Sequence, residues 1–413
     1  MKRSFLARLV SLLALTVILI FGPAPFTWAE EKPVRVGILH SLSGTMAISE
    51  TPLKDVALMT IEQINAEGGV LGRRIEPIVV DPASNWPLFA DKARKLLEQY
   101  RVAAVFGCWT SVSRKAVLPV FEELGGLLFY PLQYEGQELS ENIFYTGAAP
   151  NQQSIPALEY LLSEAGGSIE RFFLLGTDYI YPRTTNNILT NFLISRGIAA
   201  ENITEAYTPF GHRDYQEIVE QIRSFSKSGR TAVISTINGD SNIAFYRELA
   251  KQDITAEQIP VMAFSIGEEE LRTLDTSALA GHFAAWNYFM SIDSPENQHF
   301  REQWAEYSKR RLLAGAERPL TTDPMEATHI GIRLWKQAVE QAGSFAPEKV
   351  REALGGQSLR APSGVEVNMD EQNHHLHQPV FIGRIRQDGQ FDVIWQSPEN
   401  IRAMPRNPHY QAQ

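Results

Sequence analysis

The feature that most constrains this chain is a regular alternation of strand-like and helix-like segments. Short apolar runs rich in β-branched residues have the composition of buried strands; they lie at 33–39, 74–80, 102–106 and 127–131. Single helical patterns separate them, at 52–67, 87–100 and 111–124. Because strands that alternate with single helices form βαβ units, we expect a mostly parallel sheet in an α/β fold.

The same alternation begins again after Pro150. Strand-like runs recur at 172–176, 231–237 and 260–266, with helical patterns between them. The chain then continues through two long helical patterns, 295–314 and 323–342, and two late strands, 379–385 and 391–396. We therefore expect two doubly wound lobes, between which the chain crosses more than once, with a hinge and a ligand cleft.

The N-terminal segment has the order of a secretory signal peptide. A basic start containing Lys2, Arg3 and Arg8 precedes an apolar stretch from Leu12 to Phe21, and Ala29 ends a small-residue cleavage site. We predict a signal peptide over residues 1–29 and a periplasmic or otherwise extracytoplasmic location. The formal net charge of −10 becomes more negative when this basic segment is removed, which disfavours nucleic acid as a partner.

Enzyme and metal signatures are weak in this sequence. It has no G-x-S-x-G elbow, Walker A loop, G-x-G-x-x-G or H-E-x-x-H motif. The single cysteine, Cys108, follows a strand-like run, so we expect a small buried hydrophobe. His375 and His377 share a face of an extended segment, but no carboxylate or cysteine completes a metal site locally. We predict a binding protein that is not an enzyme and uses neither metal nor cofactor.

Polar and aromatic residues cluster where the predicted strands end. In such sheets ligands bind beyond the carboxyl ends of the strands, next to helix N-termini. Ser111 stands where a helix begins, so its hydroxyl is placed to cap that helix, to face the cleft, or both. The candidate ligand-binding residues are Trp109, Ser111, Tyr130, Gln133 and Tyr134 in the first series and Tyr179, Asn238 and Asp240 in the second.

Several long segments carry a resemblance to a known family. They are VGILHSLSGTMAISE (36–50), VDPASNWPLFA (80–90), FGCWTSVSRKAVLPVFEE (106–123), FYPLQYEG (129–136), YTGAAPNQQSIPA (145–157) and TDYIYPR (177–183). With them the chain resembles type I periplasmic solute-binding proteins of the branched-chain amino acid–amide class. Within that class it is most similar to the urea-binding components of bacterial urea ABC importers, and it is related to the short-chain amide sensors of amidase operons.

The resemblance implies two α/β lobes joined by three crossings, with a ligand clamped between them. The lobes would comprise residues 30–150 with about 290–355, and residues 151–289 with about 356–413. In the amide branch, the residues that match Ser111 and Tyr179 bond the amide, and the loop that matches Tyr130, Gln133 and Tyr134 lines the same pocket. Asp240 has no family counterpart; we nominate it because urea carries four N–H bonds and needs acceptors.

The expected function is capture of urea and its delivery to the permease subunits of an ABC importer. A short-chain amide or a branched-chain amino acid is the alternative ligand within the same fold, for transport or for sensing. An amino acid would need a carboxylate clamp and an acid for its ammonium group, and Asp178, Asp240 and Glu268 keep that alternative open.

Overall fold

The computed structural model describes residues 32–412. The predicted signal peptide, residues 1–29, lies outside the described residues. Among the described residues, no helix combines the length and the apolar character that crossing a bilayer requires.

Lobe 1 is built on a five-stranded parallel sheet with the strand order β2-β1-β3-β4-β5. Its strands are β1 (Val34–Leu39), β2 (Ile75–Val80), β3 (Val105–Gly107), β4 (Leu128–Tyr130) and β5 (Ile143–Tyr145). The helices that connect the first four strands are α1 (Ala47–Ala66), α2 (Trp86–Glu98) and α3 (Ser111–Leu124). The predicted alternation of strand and helix is therefore present in the first series.

Lobe 2 contains a seven-stranded sheet with the order β15-β14-β10-β9-β8-β6-β7. Its strands are β6 (Arg171–Thr177), β7 (Ile203–Thr208), β8 (Thr231–Thr236), β9 (Val261–Ala263), β10 (Phe283–Trp286), β14 (Phe381–Ile385) and β15 (Phe391–Gln396). The helices between its strands are α5 (Ile180–Ser195), α6 (Gln216–Ser226), α7 (Ser241–Lys251) and the short α8 (Glu268–Leu271). The last two strands pair antiparallel, and Gly389 occupies the left-handed region at their predicted hairpin turn.

The segments outside the two series are divided between the lobes. They comprise α4 (Ser154–Leu162), α9 (Pro295–Arg311), α10 (Asp323–Ala342), α11 (Pro347–Leu354) and a small antiparallel sheet of β11 (Ser358–Arg360), β12 (Glu366–Met369) and β13 (Leu376–His377). Apolar residues of α9, α10 and α11 join the cores on the two faces of the lobe 1 sheet. Those of α4 join a core of lobe 2.

The small sheet belongs with lobe 1, which corrects the predicted boundary at residue 356. Val367, Met369 and Leu376 are buried in a core of lobe 1, and His375 forms a β-bridge with Tyr145 at the edge of that sheet. These apolar side chains are buried against lobe 1. The last passage of the chain into the lobe 2 sheet therefore occurs at β14. The described residues from Val34 onward form one compact unit that contains both lobes.

Candidate functional site

Two helices are in contact where the lobes touch, α3 of lobe 1 and α5 of lobe 2. Thr110, with extended backbone angles, is the N-cap of α3, and its Oγ1 accepts a hydrogen bond of 3.1 Å from the Ser113 amide. Of the roles that the sequence left open for the Ser111 hydroxyl, the structure excludes capping, because Thr110 is the cap. Ser111 is already the first helical residue, so its hydroxyl is free for other partners.

The Ser111 hydroxyl is held by a buried ion pair. It donates to Oε2 of Glu135 and accepts a hydrogen bond of 3.1 Å from Nη1 of Arg114. Arg114 Nη2 in turn donates to Glu135 Oε1 at 3.0 Å. All three side chains are almost fully inaccessible to solvent. Glu135 and Arg114 lie in two of the segments that resemble the known family, but nothing in their spacing predicts that they pair.

Tyr130 and Tyr134 lie behind Ser111, in the core of lobe 1. The Tyr130 hydroxyl donates to the Trp109 carbonyl oxygen at 2.6 Å, and the Tyr134 hydroxyl lies 2.6 Å from Nε2 of His375. The Arg114 guanidinium carbon lies 4.9 Å and 4.5 Å from the centres of the two rings. These tyrosines therefore enclose the buried cation.

Gln133 reaches across to lobe 2. Its Nε2 donates to the Phe264 carbonyl oxygen at 2.8 Å and to the Ser265 hydroxyl at 2.6 Å. Its Oε1 is buried and has no hydrogen-bond partner among the described residues. Gln133 thus presents one uncommitted acceptor at the contact between the lobes.

Tyr179 and Tyr181 approach the same place from lobe 2. The Tyr179 hydroxyl accepts a hydrogen bond of 3.0 Å from Nδ2 of Asn238. Burial raises the pKa of Tyr179, and Glu135 across the cleft raises it further. The Tyr181 hydroxyl lies near Gln133. The oxygen of this hydroxyl is buried and has no hydrogen-bond partner within residues 32–412. Tyr181 was not among the predicted site residues, although it follows Tyr179 by two positions in the same segment.

Trp109 lines a small enclosed cavity beside this cluster. The cavity lies between the lobes and is also lined by Ser49, Pro52, Ser265, Gly267, Glu268, Glu269, Glu270, Trp286, Thr322, Asp323 and Pro324. Ser49 of lobe 1 donates to Glu270 Oε1 of lobe 2 at 2.9 Å. Burial raises the pKa of Glu268 to about 8. The sequence pointed to Trp109 and the strand end at 265–270, but not to this cross-lobe bond.

Asp240 lies away from the cluster. One carboxylate oxygen is 3.5 Å from Arg213, a largely exposed side chain, and Asp240 lines an open surface groove with that arginine. Asp178, kept open for an amino acid ligand, is half-exposed and pairs with Arg183 at 2.6 Å. The structure therefore brings Ser111, Gln133, Tyr179 and Asn238 together and leaves the two aspartates outside.

The remaining candidate groups for chemistry are buried in lobe 1. Cys108 is fully buried, as predicted, and burial raises the pKa of its thiol. Nδ1 of His375 faces the Asn373 carbonyl oxygen, so Nε2 accepts the Tyr134 hydrogen, and burial lowers the pKa of His375 to about 3. Nε2 of His377 pairs with Asp370 at 2.8 Å. Within the described part of the chain, no three histidine, cysteine or acidic side chains converge as metal ligands.

Comparison with known proteins identifies the family to which this architecture belongs. The model of the periplasmic binding protein domain family matches residues 34–412, nearly the whole described chain. The chain belongs to the periplasmic binding protein domain family. The predicted fold class, α/β lobes of the type I periplasmic binding protein kind, is confirmed.

Individual relatives match this chain at low identity or over only part of its length. The Leu/Ile/Val-binding protein homolog 6 of Brucella melitensis is 22% identical over 386 residues, which cover 90% of this chain and 92% of that protein. A protein of Geobacillus stearothermophilus named limonene hydroxylase is 33% identical over 126 residues, but they span only 30% of this chain and 22% of that protein. The match to this relative is therefore partial.

A solved structure shows the fold across the whole chain. The amino acid ABC transporter substrate-binding protein from Pseudomonas fluorescens Pf-5 superposes with a TM-score of 0.77 at 16% identity. The superposition covers 92% of this chain and 99% of that one. As a family member, the chain is a solute-binding protein, as the sequence predicted.

Proposed function

We propose that this protein captures urea between its two lobes and delivers it to the permease of an ABC importer, outside the cytoplasm. Membership of the periplasmic binding protein domain family supports the binding role and the location. The resemblance of the site segments to urea-binding components supports the ligand. The signal-like order of residues 1–29 supports export.

One observation carries the choice of ligand: uncharged hydrogen-bonding groups of both lobes lie where the lobes come into contact. Lobe 1 offers two acceptors, Ser111 Oγ and the unpartnered Oε1 of Gln133. Lobe 2 offers the hydroxyls of Tyr179 and Tyr181. Because the Tyr179 oxygen already accepts from Asn238, its own hydrogen is available to a ligand.

Urea matches this arrangement group for group. Its two amino groups suit the two acceptors of lobe 1, and its carbonyl oxygen suits the phenol hydroxyls of lobe 2. A buried donor or acceptor left without a partner costs about 1–3 kcal/mol, so a small neutral ligand gains its affinity by meeting all of them. Groups on both lobes take part, so binding favours the closed arrangement.

An amino acid fits the cluster less well. Its carboxylate would need a cation, and Arg114, the cation beside Ser111, already bonds Ser111, Glu135 and Glu138. Burying an unpaired carboxylate costs several kcal/mol. A short-chain amide meets part of the pattern, because it has one amino group and one carbonyl.

The acidic cavity beside Trp109 favours a second candidate, a branched-chain amino acid whose ammonium would face Glu268 or Glu270. The name of the Brucella melitensis relative points the same way. However, Glu268 accepts the Met290 amide at 2.9 Å, and Glu270 accepts both Ser49 and the Gly267 amide. These carboxylates already have protein partners, which is why we prefer urea.

Isothermal titration calorimetry with urea, acetamide and leucine tests the proposal. We expect urea to bind, acetamide to bind more weakly, and leucine to bind at least about 10³-fold more weakly than urea because its charges would be unpaired. Tight binding of leucine, with no heat from urea at millimolar concentration, would overturn the urea assignment in favour of the amino acid.

A further inference from the structure

The Ser111 hydroxyl belongs to a closed hydrogen-bonded triangle with Glu135 and Arg114. We infer that Glu135 and Arg114 are positioning residues that fix Ser111 as a hydrogen-bond acceptor toward the cleft, so that the pocket selects a ligand that donates an N–H at this point. The inference rests on the proposed function and names a source of its specificity.

The bonding capacity of the three groups sets the polarity of Ser111. A guanidinium can only donate, so Ser111 Oγ accepts from Arg114 Nη1, 3.1 Å away. A carboxylate can only accept, so Ser111 donates its one hydrogen to Glu135. A hydroxyl has one hydrogen and two lone pairs, and only one lone pair is left. A ligand group that meets this oxygen must therefore donate.

A second set of contacts holds the triangle in place. Arg114 Nε donates to Glu138 Oε1 at 2.7 Å, and the same oxygen accepts the Tyr145 hydroxyl at 2.8 Å. Lys115 donates to the other oxygen of Glu138 at 2.9 Å. Burial acts to raise the pKa of Glu138, but Arg114 and Lys115 outweigh it and hold that pKa at about 2.

The cluster therefore balances two cations, the buried Arg114 and the partly exposed Lys115, against two buried carboxylates. Arg114 has hydrogen-bond partners on Nε, Nη1 and Nη2, so rotating it away from Ser111 would break several charge-assisted bonds at once. Such a network makes the orientation of the Ser111 hydroxyl a fixed property of the site.

The fixed acceptor has a consequence for the choice between urea and acetamide. The second acceptor of lobe 1, Gln133 Oε1, has no partner among the residues described. Urea has an amino group for each of these acceptors, whereas acetamide has one amino group and a methyl group. Preference for urea over acetamide thus depends on Ser111 remaining an acceptor.

Replacing Glu135 by glutamine tests this. In Glu135→Gln the side chain keeps its shape, but its amide nitrogen can donate to Ser111 and so release the serine hydrogen toward the cleft. We expect the ratio of urea to acetamide affinity, measured by calorimetry, to fall by about tenfold, the effect of one buried hydrogen bond. Glu141→Gln is the control, because it removes an equal charge from lobe 1 at a largely exposed carboxylate outside this network, and its ratio should stay unchanged.

The outcomes separate the inference from the proposed function. Equal weakening of urea and acetamide in Glu135→Gln, with their affinity ratio unchanged, would mean that Glu135 has a structural role only, and would overturn the inference while urea binding stands. Absence of urea and acetamide binding in the unsubstituted protein would overturn both. If Glu135→Gln does not fold, Ser111→Thr and Ser111→Ala replace it: threonine should retain the preference for urea and alanine should lose it, and any other pattern contradicts the inference.

Discussion

At the scale of single residues, Ser111 and its neighbour Thr110 have separable roles. Thr110 caps α3, whereas the Ser111 hydroxyl bonds Glu135 and Arg114. We expect Ser111→Ala to weaken urea binding by about 1–2 kcal/mol, the range for a buried hydrogen bond. Thr110→Ala should instead lower the free energy of unfolding by about 1 kcal/mol through the lost cap. Calorimetry and thermal unfolding of both variants check this; unchanged urea affinity in Ser111→Ala would exclude Ser111 from the site.

Cys108 is the residue that would supply the nucleophile if this chain were an enzyme with a catalytic thiol. It is fully buried with a positive φ of 67°, between the end of β3 and Trp109. Because burial raises the pKa of its thiol, little thiolate exists near neutral pH. We expect slow labelling by a thiol reagent under native conditions and rapid labelling after unfolding. Fast native labelling that urea blocks would place the thiol in the cleft.

At the scale of elements, the sequence was sufficient to predict the strands and helices that carry the candidate site residues. Apolar runs and helical spacing located the strands and helices, and the ends of β3 and β6 then pointed to Ser111 and Tyr179. Hydrophobic periodicity predicts which segments end at the cleft, because the carboxyl ends of parallel strands lie at the same edge of a sheet. It does not report which way a side chain turns within a loop.

The orientation of side chains in the 129–136 loop shows this limit. Tyr130, Gln133 and Tyr134 looked equivalent in the sequence, but the tyrosines enclose Arg114 while Gln133 crosses to lobe 2. The difference arises from a buried cation that needs partners, which is a tertiary effect. The β-bridge that holds β11–β13 on lobe 1 is likewise a contact between residues far apart in the chain.

At the scale of the whole molecule, Asn287 ties together three segments that connect the lobes. Its side-chain Nδ2 donates to the carbonyl oxygens of Gln152, at 3.2 Å, and Pro379, at 2.5 Å, and its backbone amide donates to Asp323 at 2.7 Å. Gln152 precedes α4, Asn287 follows β10 and Pro379 precedes β14, so one amide group bridges three places where the chain passes between lobes.

We expect Asn287→Ala to lower the free energy of unfolding by about 1–3 kcal/mol, because it removes the donor from two carbonyl groups. We expect it also to change urea affinity, because the bonded segments connect the two sheets and would have to move if the lobes close on a ligand. Asn142→Ala is the matched control: that buried amide bonds the Gly126 carbonyl oxygen within lobe 1 at 2.7 Å. It should cost stability but leave urea affinity unchanged. Equal affinities in both variants would show that Asn287 has no part in closure.

A group of buried carboxyl side chains makes the stability of the protein depend on pH. This group, here called the acidic seam, consists of Glu268, Glu269, Glu270, Asp323 and Glu326. Burial raises the pKa of Glu268 to about 8 and the pKa values of Glu269 and Asp323 to about 7. Arg272 pairs with Glu269, and Glu270 and Glu326, whose pKa values are also raised, lie in the same acidic group. Because the folded protein holds these protons more tightly than the unfolded chain, their stabilising effect is complete at low pH and is lost as pH rises through the raised values.

Buried histidines have the opposite effect at lower pH. The pKa values of His282 and His375 fall to about 4 and about 3, so the stability they contribute is lost as pH falls below their ordinary value of 6.5. Above that value the histidines are neutral in both states, and the carboxylates alone decide the slope. The informative window for the seam is therefore the range from about neutral pH to just above the pKa of Glu268.

We expect the midpoint of thermal unfolding to fall as pH rises from about 7 to about 8.5, because Glu268 and its neighbours become charged in a buried place. Heat is the suitable denaturant, since urea is the proposed ligand. Glu268→Gln keeps an oxygen for the Met290 amide and carries no charge, so its midpoint should fall less over the same range. Glu141→Gln, at a largely exposed carboxylate on lobe 1, is the control and should follow the unsubstituted protein. A midpoint that rises with pH in this window would show that the seam carries no protons in the folded state, and the same slope in Glu268→Gln would exclude Glu268 as a carrier.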